Sequence, residues 1–294
     1  MTVGVDFDFA RYVAFRRGAQ SQQAHDGNAY AFSGERRFRR GLAAARPVTM
    51  ALEATTRLWR SVARAELLGT CIKVSDQQYP RVWEAARVAG TALRVRVPAI
   101  FVAPPTQNIK ARTLGTDEAP YIIIGAQAAE QLGEQQLVAL LGHELAHIHN
   151  GHVLYNTALY YLNHSAVFFV RWIVQPAIVA LQAWSRRAEI SCDRGAMLAC
   201  KSLETALTTM VRMELGTEAS AQFRIEEYLR DVPDTARGLG RYAELFRSHP
   251  YLPKRVQAMR WFADSSLFAA ATGGAGKLAT SEVDARVTDL IAVF

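Results

Sequence analysis

The chain has 294 residues, half of them apolar, with 34 basic against 27 acidic side chains and a net charge of +7. That is enough to bury a substantial core in one large domain, and it excludes a disordered polyelectrolyte. No aromatic-and-basic RNA motif, zinc-finger spacing or heptad run accompanies the charge, so nucleic acid is not an expected partner.

Three cysteines, Cys71, Cys192 and Cys200, offer neither an even disulfide framework nor a paired zinc-knuckle spacing, which points to a reducing compartment. The first residues carry Asp6 and Asp8 and lack a basic start followed by an apolar core, so they do not read as a secretory signal. The expected location is cytoplasmic.

Residues 1–46 hold eight arginines against four acids and read as a basic N-terminal arm, loosely structured or helical. Met50, Leu52, Leu58, Val62 and Leu67 recur at helical spacing, and Pro80 opens a second helical run through Val82, Ala85, Val88 and Leu93. The Val- and Ile-rich stretch 94–103 is interrupted by Pro98 and reads as a short strand. Tyr121, Ile122, Ile123 and Ile124 form a compact apolar strand ended by Gly125. A short helix from Ala126 stops at Gly133, and a longer one begins near Glu134, with Leu137, Leu140, Leu141, Leu145 and Ile148 on one face.

Residues 153–184 hold one charged group, Arg171, and are the most apolar part of the chain. Ser165 to Trp184 approaches the length of a bilayer span, but Arg171, Gln175 and Pro176 fall inside it, and a central arginine costs at least ~2.5 kcal/mol on insertion. A buried helical hairpin is therefore favoured over peripheral or integral membrane association, which the segment still leaves open. Helical character resumes from Ser185 to Leu207. After Gly273, Gly274 and Gly276 a tail, 263–294, ends in an amphipathic helix from Ser281, with Asp284 at capping-box spacing.

Within the helix that starts near Glu134, His143, Glu144 and His147 form an H-E-x-x-H sequence. Histidines four apart lie about 40° from each other around a helix, so both imidazoles can reach one metal ion, and neutral imidazole suits zinc. Glu144, one residue after the first ligand, is placed to act as general base on a water activated by the ion. His149 and His152 are offset from His147 by about 200° and 140° on an ideal helix and read as structural or solvent-facing. A catalytic zinc needs a third protein ligand. Asn150 and Val153 replace the glycine and histidine of the metzincin pattern. Downstream, Glu189 with Asp193 four residues later puts a ligand and a histidine-orienting carboxylate on one helix face, in competition with Glu204, Glu214 and Glu218.

At this point the sequence resembles the zinc metallopeptidases that include the CAAX prenyl proteases and HtpX-like peptidases, over roughly residues 65–262. The resemblance runs in order through Gln78-Tyr79-Pro80, the strands near Ala99 and Tyr121, His143 to His147, the E-x-x-x-D of Glu189 and Asp193, and Ser248-His249-Pro250 followed by Arg255. It implies one Zn2+ per chain held by His143, His147 and Glu189. It also implies His249 near the metal as oxyanion stabiliser or resting-state cap, and Arg255 supporting that loop.

Asn108-Ile109-Lys110-Ala111 matches the family's segment between strands only in part. The strand Tyr121 to Ile124 is the expected edge against which an extended peptide pairs. The expected fold is a mostly helical α+β, zincin-like domain over 47–262, with a small sheet beside the H-E-x-x-H helix. The expected function is a zinc-dependent endopeptidase acting on peptides or unfolded proteins. The rival readings are a latent or noncatalytic zinc-bound module and a zinc hydrolase of a nonpeptide substrate.

Overall fold

The computed structural model describes residues 29–42, 48, 50, 52, 69–105, 110–165, 168–216, 224, 227 and 247–292, without the side chains of 164–174. Outside the described residues lie the first 28 positions of the basic arm, most of the expected helix from Val48 to Leu68, Asn108 and Ile109, Glu218, and the side chain of Arg171.

Helix α1 (Ser33–Leu42) precedes strand β1 (Ile72–Lys73), α2 (Pro80–Leu93), β2 (Ala99–Ala103), β3 (Ala111–Gly115) and β4 (Pro120–Gly125). The remainder is helical: α3 (Ala126–Gln131), α4 (Glu134–His149), α5 (Val153–Ser165), α6 (Phe168–Cys200), α7 (Leu203–Leu215), α8 (Leu252–Ala263), α9 (Ser266–Thr272) and α10 (Thr280–Ile291). The fold is α+β and mostly helical, with one small sheet. No described helix is long and apolar enough to cross a membrane.

The sheet order is β1-β2-β4-β3, with β2 and β4 parallel and both outer strands antiparallel to their neighbours. The expected edge, Tyr121 to Ile124, is therefore an interior strand: β2 pairs along one side of it and β3 along the other. The alternation along β4 explains its apolar run. Ile122 and Ile124 face the main core beneath α4, whereas Tyr121 and Ile123 pack on the other face with Phe101, Ala103 and Leu114. A strand covered on both faces and both sides has no room for a peptide to add.

The edge on the cleft side is β3. Gly125 N–H donates to Lys110 O at 2.9 Å, so Lys110 and Gly125 form a hydrogen-bonded antiparallel pair. Alternation then turns the backbone groups of Ala111, Thr113 and Gly115 outward. Gly115 shows this directly, since its N–H donates to Thr157 Oγ1 at 2.9 Å, outside the sheet.

Helices α4 and α6 cross at close range through paired glycines. A Cβ on Gly142 would fall 2.4 Å from Ala199 Cβ, and one on Gly195 would fall 2.4 Å from Ala146 Cβ. This close approach sets the distance between the H-E-x-x-H turn and the acidic turn of α6. Gly133 N–H, at the start of α4, donates to the Gln136 side chain at 3.1 Å, which offsets one of the amides a helix start leaves unpaired.

The expected hairpin is present as α5 and α6, but α6 continues for 33 residues through Pro176. Its first part forms a second core in which Ala177, Ile178, Leu181 and Trp184 meet Leu154, Tyr155, Ala158 and Leu159 of α5. His164 lies in the last turn of α5 rather than in a loop.

Packing does not follow the compositional boundaries at 46 and 263. Tyr30 and Phe32, from the arm, and Val283, Val287 and Ile291, from the tail, belong to the main core. Asp284 does not cap α10. Its carboxylate accepts from Ser33 N–H at 3.0 Å and pairs with buried Arg194 at 2.8 Å, so α10 starts at Thr280 without a side-chain cap.

Candidate metal centre

Helix α4 presents His143 and His147 one turn apart, and α6 presents Glu189 opposite them. His143 Nε2 is 3.3 Å from Glu189 Oε2, and His147 Nε2 is 3.6 Å from Glu189 Oε1. His143 Nδ1 lies 3.3 Å from Asp193 Oδ1, one helical turn beyond Glu189. Glu189 thus faces both imidazoles, one carboxylate oxygen toward each, while the far side of the first imidazole rests on a second carboxylate.

Arg255, from α8, closes the acidic side. Its Nε and Nη2 donate to the two oxygens of Asp193 at 2.9 and 2.6 Å, and Nη2 also lies 3.4 Å from Glu189 Oε2. A two-pronged guanidinium contact fixes the plane of the Asp193 carboxylate. His249, in the loop before α8, is half-exposed, with Nε2 3.5 Å from Glu189 Oε1 and Nδ1 2.8 Å from Ser248 Oγ.

Glu144 is buried beside the two histidines. Thr113 of β3 places its hydroxyl 2.6 Å from Glu144 Oε2 and 3.1 Å from the Glu144 carbonyl oxygen. Thr113 carried no signal in the sequence, because its role depends on β3 being the outer strand alongside α4.

The electrostatics follow from this crowding. Burial opposes protonation of His143, but hydrogen bonds to Asp193 and Glu189 and their charge outweigh it and pull its pKa up to about 10. Burial dominates at His147 and holds it well below the ordinary imidazole range, assisted by the neighbouring histidines. The Glu189 carboxyl is held well below the usual carboxylate range despite burial, through His249, His143 and Arg255. Burial raises Glu144.

This donor set, two imidazole nitrogens on one helix facing a carboxylate on another, has the chemistry that suits a divalent zinc ion. Cys192 is the competing third donor, since its Sγ and one nitrogen from each of His143 and His147 lie within 4.8 Å of one another. Burial, and then the charges of Glu189, Asp193 and Glu144, push its thiol well up in the metal-free protein. Glu189, with one oxygen toward each imidazole, is the candidate that the cleft-side geometry favours. Glu214 instead faces Arg255 at 3.4 Å and Lys110 at 3.7 Å, away from the two imidazoles.

The centre opens into a cleft of about 970 Å3, lined on one wall by Ala111, Arg112 and Leu114 of β3 and on another by Met210, Met213 and Met259. Tyr121 and Ile123 reach this cleft, whereas Ile122 and Ile124 point into the core and do not.

His152 departs most from the sequence reading. Helix α4 stops at His149, and Gly151 takes a left-handed φ of 67°. His152 N–H then donates to His147 O, and Gly151 N–H to Ile148 O, which is the glycine-terminated helix ending that folds the chain back on its last turn. The helical offset of about 140° therefore does not apply. His152 is fully buried directly behind His147, with 3.2 Å between their Nδ1 atoms. His149 is buried too, with Nδ1 3.0 Å from the Tyr30 hydroxyl.

A sequence model of peptidase family M48 matches residues 81–262, more than half the chain and the whole of this centre. Plastoglobule-localized metallopeptidase 48, chloroplastic, of Arabidopsis thaliana is 26% identical over 173 residues, covering 57% of this chain and 50% of that protein. A protease HtpX homolog of Bifidobacterium longum is 25% identical over 233 residues, covering 65% and 73% respectively. The chain thus spans about half the length of the plant relative, and no solved structure matches it with significance. With the histidine pair and Glu189 inside the matched stretch, the chain belongs to peptidase family M48.

Proposed function

We propose that the protein is a zinc-dependent metalloendopeptidase in which His143, His147 and Glu189 hold one ion and Glu144 is the general base. The observation that carries this reading is the pair of imidazoles facing Glu189 beside a buried Glu144, in a cleft walled by the outer strand β3. Zinc, when bound, supplies the Lewis acidity that lets a water molecule lose a proton near neutral pH.

The remaining work falls to the chain. Glu144, oriented by Thr113 and raised by its burial, accepts the proton of the attacking water and passes it to the departing amine. His249, at the rim, hydrogen-bonds the oxyanion of the tetrahedral intermediate. Asp193, clamped by Arg255, fixes the ring of His143.

The substrate is an extended peptide or unfolded protein segment that pairs with the outward backbone groups of Ala111 and Thr113. Main-chain pairing gives affinity with little sequence selectivity.

Metal content and cleavage of an unstructured protein such as casein test the assignment. The expected result is about one zinc per chain in wild type and Glu144→Gln, loss of zinc in Glu189→Ala, and cleavage by wild type alone. Undiminished proteolysis by Glu144→Gln would remove the general base from the mechanism. Zinc bound by Glu189→Ala with wild-type affinity would move the third ligand to Cys192.

A further inference from the structure

On the side of His147 away from Glu189, a second row of buried groups leads out to the N-terminal helix. His152 Nδ1 is 3.2 Å from His147 Nδ1, and His152 Nε2 is 3.4 Å from Glu35 Oε1. Glu35 and His152 are both fully buried. Trp184 Nε1–H donates to the same Glu35 oxygen at 3.2 Å, its ring meets the His152 imidazole edge-on at 5.2 Å, and Arg39 Nε lies 3.6 Å from that oxygen. Arg39 also donates to the carbonyl oxygens of Asn150 and Gly151, the turn that places His152. Despite burial, Glu35 is held below the ordinary carboxylate range, chiefly by His152 and then by Arg39 and Trp184.

The protons along this row can be ordered in one direction only. If His147 is to offer the lone pair of Nε2 toward Glu189 and His143, its hydrogen must sit on Nδ1. The facing nitrogen, His152 Nδ1, must then be the acceptor, so the His152 hydrogen sits on Nε2. That nitrogen lies 3.4 Å from Glu35 Oε1, a carboxylate with charge and lone pairs to receive the hydrogen once a small turn of the ring brings it into line.

We propose that Glu35, acting through His152, is a positioning pair that sets the tautomer and ring orientation of His147 for metal binding. The inference rests on the zinc-site reading above. It adds to it a residue at position 35, outside the stretch 81–262 that matches the family. A buried carboxylate behind a ligand histidine raises the ligand's basicity and removes its rotational freedom. Here one more imidazole is inserted, which lets a helix remote in sequence reach the metal ligand. The competing partner is Asn156, whose amide lies 3.2 Å from His147 Nδ1 and which, presenting its oxygen, would accept the same proton.

The test uses the full chain and reads zinc affinity by chelator competition in Glu35→Leu, Glu35→Gln, His152→Phe, Asn156→Leu and the Glu35→Leu/His152→Phe double variant. Thermal unfolding of each metal-free protein checks that it is folded. Glu35→Leu and His152→Phe are each expected to weaken zinc binding about 10- to 100-fold, the double variant no more than the worse single one, and Asn156→Leu by less than about threefold. Glu35→Gln, which keeps an acceptor but loses the charge, is expected to recover part of the affinity.

Nitrogen NMR of the histidine side chains in the zinc-loaded wild type gives an answer independent of how the variants fold. His152 is expected to be protonated on Nε2 and His147 on Nδ1. Wild-type zinc affinity in folded Glu35→Leu, losses that multiply in the double variant, a loss carried by Asn156→Leu instead, or a His152 hydrogen on Nδ1 would each overturn the proposal. Absence of zinc from the wild type would overturn the metal-site reading itself, and the inference with it, whereas every other outcome presupposes a wild type that binds zinc.

Discussion

Single side chains decide the chemistry at this centre, and Thr113 shows how. Its hydroxyl lies 2.6 Å from the Glu144 carboxylate, so it fixes the direction in which the proposed base points. Thr113→Val keeps the shape of the strand and removes that hydrogen bond, which is worth on the order of 1 kcal/mol. The expected outcome is a fall in kcat of about fivefold with zinc content unchanged, measured on a peptide substrate. His143, Glu144 and His147 were legible in the sequence, because the helical period and the spacing of ligand and base both reside in one short segment. Thr113 and Glu35 were not, since each gains its role only from a partner on an element far away in the chain. For His152, read as structural or solvent-facing, burial selects the structural alternative, and the angular argument does not apply because it assumes an unbroken helix and Gly151 ends it.

At the scale of elements, the crossing of α4 and α6 and the order of the sheet determine what the centre can do. The crossing depends on Gly142 and Gly195, each packed against an alanine of the other helix. Gly195→Val forces the helices apart, and overpacking of this kind costs about 1–3 kcal/mol, to be read from urea denaturation. It also separates Glu189 from the histidines, so zinc affinity should fall together with stability. Strands β2 and β4 were readable from β-branched content, but β1, β3 and the strand order were not, because nothing in the run Tyr121 to Ile124 distinguishes a central strand from an edge. The outer strand, Ala111 to Gly115, contains an arginine and a threonine and lacks the apolar run that marked β4. If peptides pair with this edge, Ala111→Pro deletes one outward N–H where a sheet edge tolerates proline. KM for an extended peptide should then rise about fivefold, as expected for one hydrogen bond, with the pairing of β3 to β4 intact.

The whole molecule is closed by contacts between segments that composition alone assigned to an arm and a tail. Asp284 of α10 holds Arg194 of α6 at 2.8 Å and the backbone of Ser33, at the start of α1, at 3.0 Å. Arg194 in turn donates to Tyr30 O and stacks near Phe32 and Phe262. Asp284→Ala leaves this buried guanidinium without its counter-charge, and breaking one side of a buried pair costs about 3–5 kcal/mol. Urea denaturation should show that loss. The arginine-rich composition of residues 1–46 had suggested an appendage, whereas the apolar residues that bind it to the core, Tyr30 and Phe32, are too few to register as a pattern.

The hydrogen bond between Ser33 and Asp284 joins residues 251 positions apart, and those from Phe32 to Ser191 and from Arg194 to Tyr30 join residues 159 and 164 apart. Local helices form within microseconds, but contacts of this span form only after large loops have closed, at an entropic cost met late in folding. Helix α1, which carries Glu35, is docked by these distant partners. The helix holding the two histidines can therefore wind long before α1 docks behind it, and if Glu35 positions His147 as proposed, full affinity for metal is expected late in refolding.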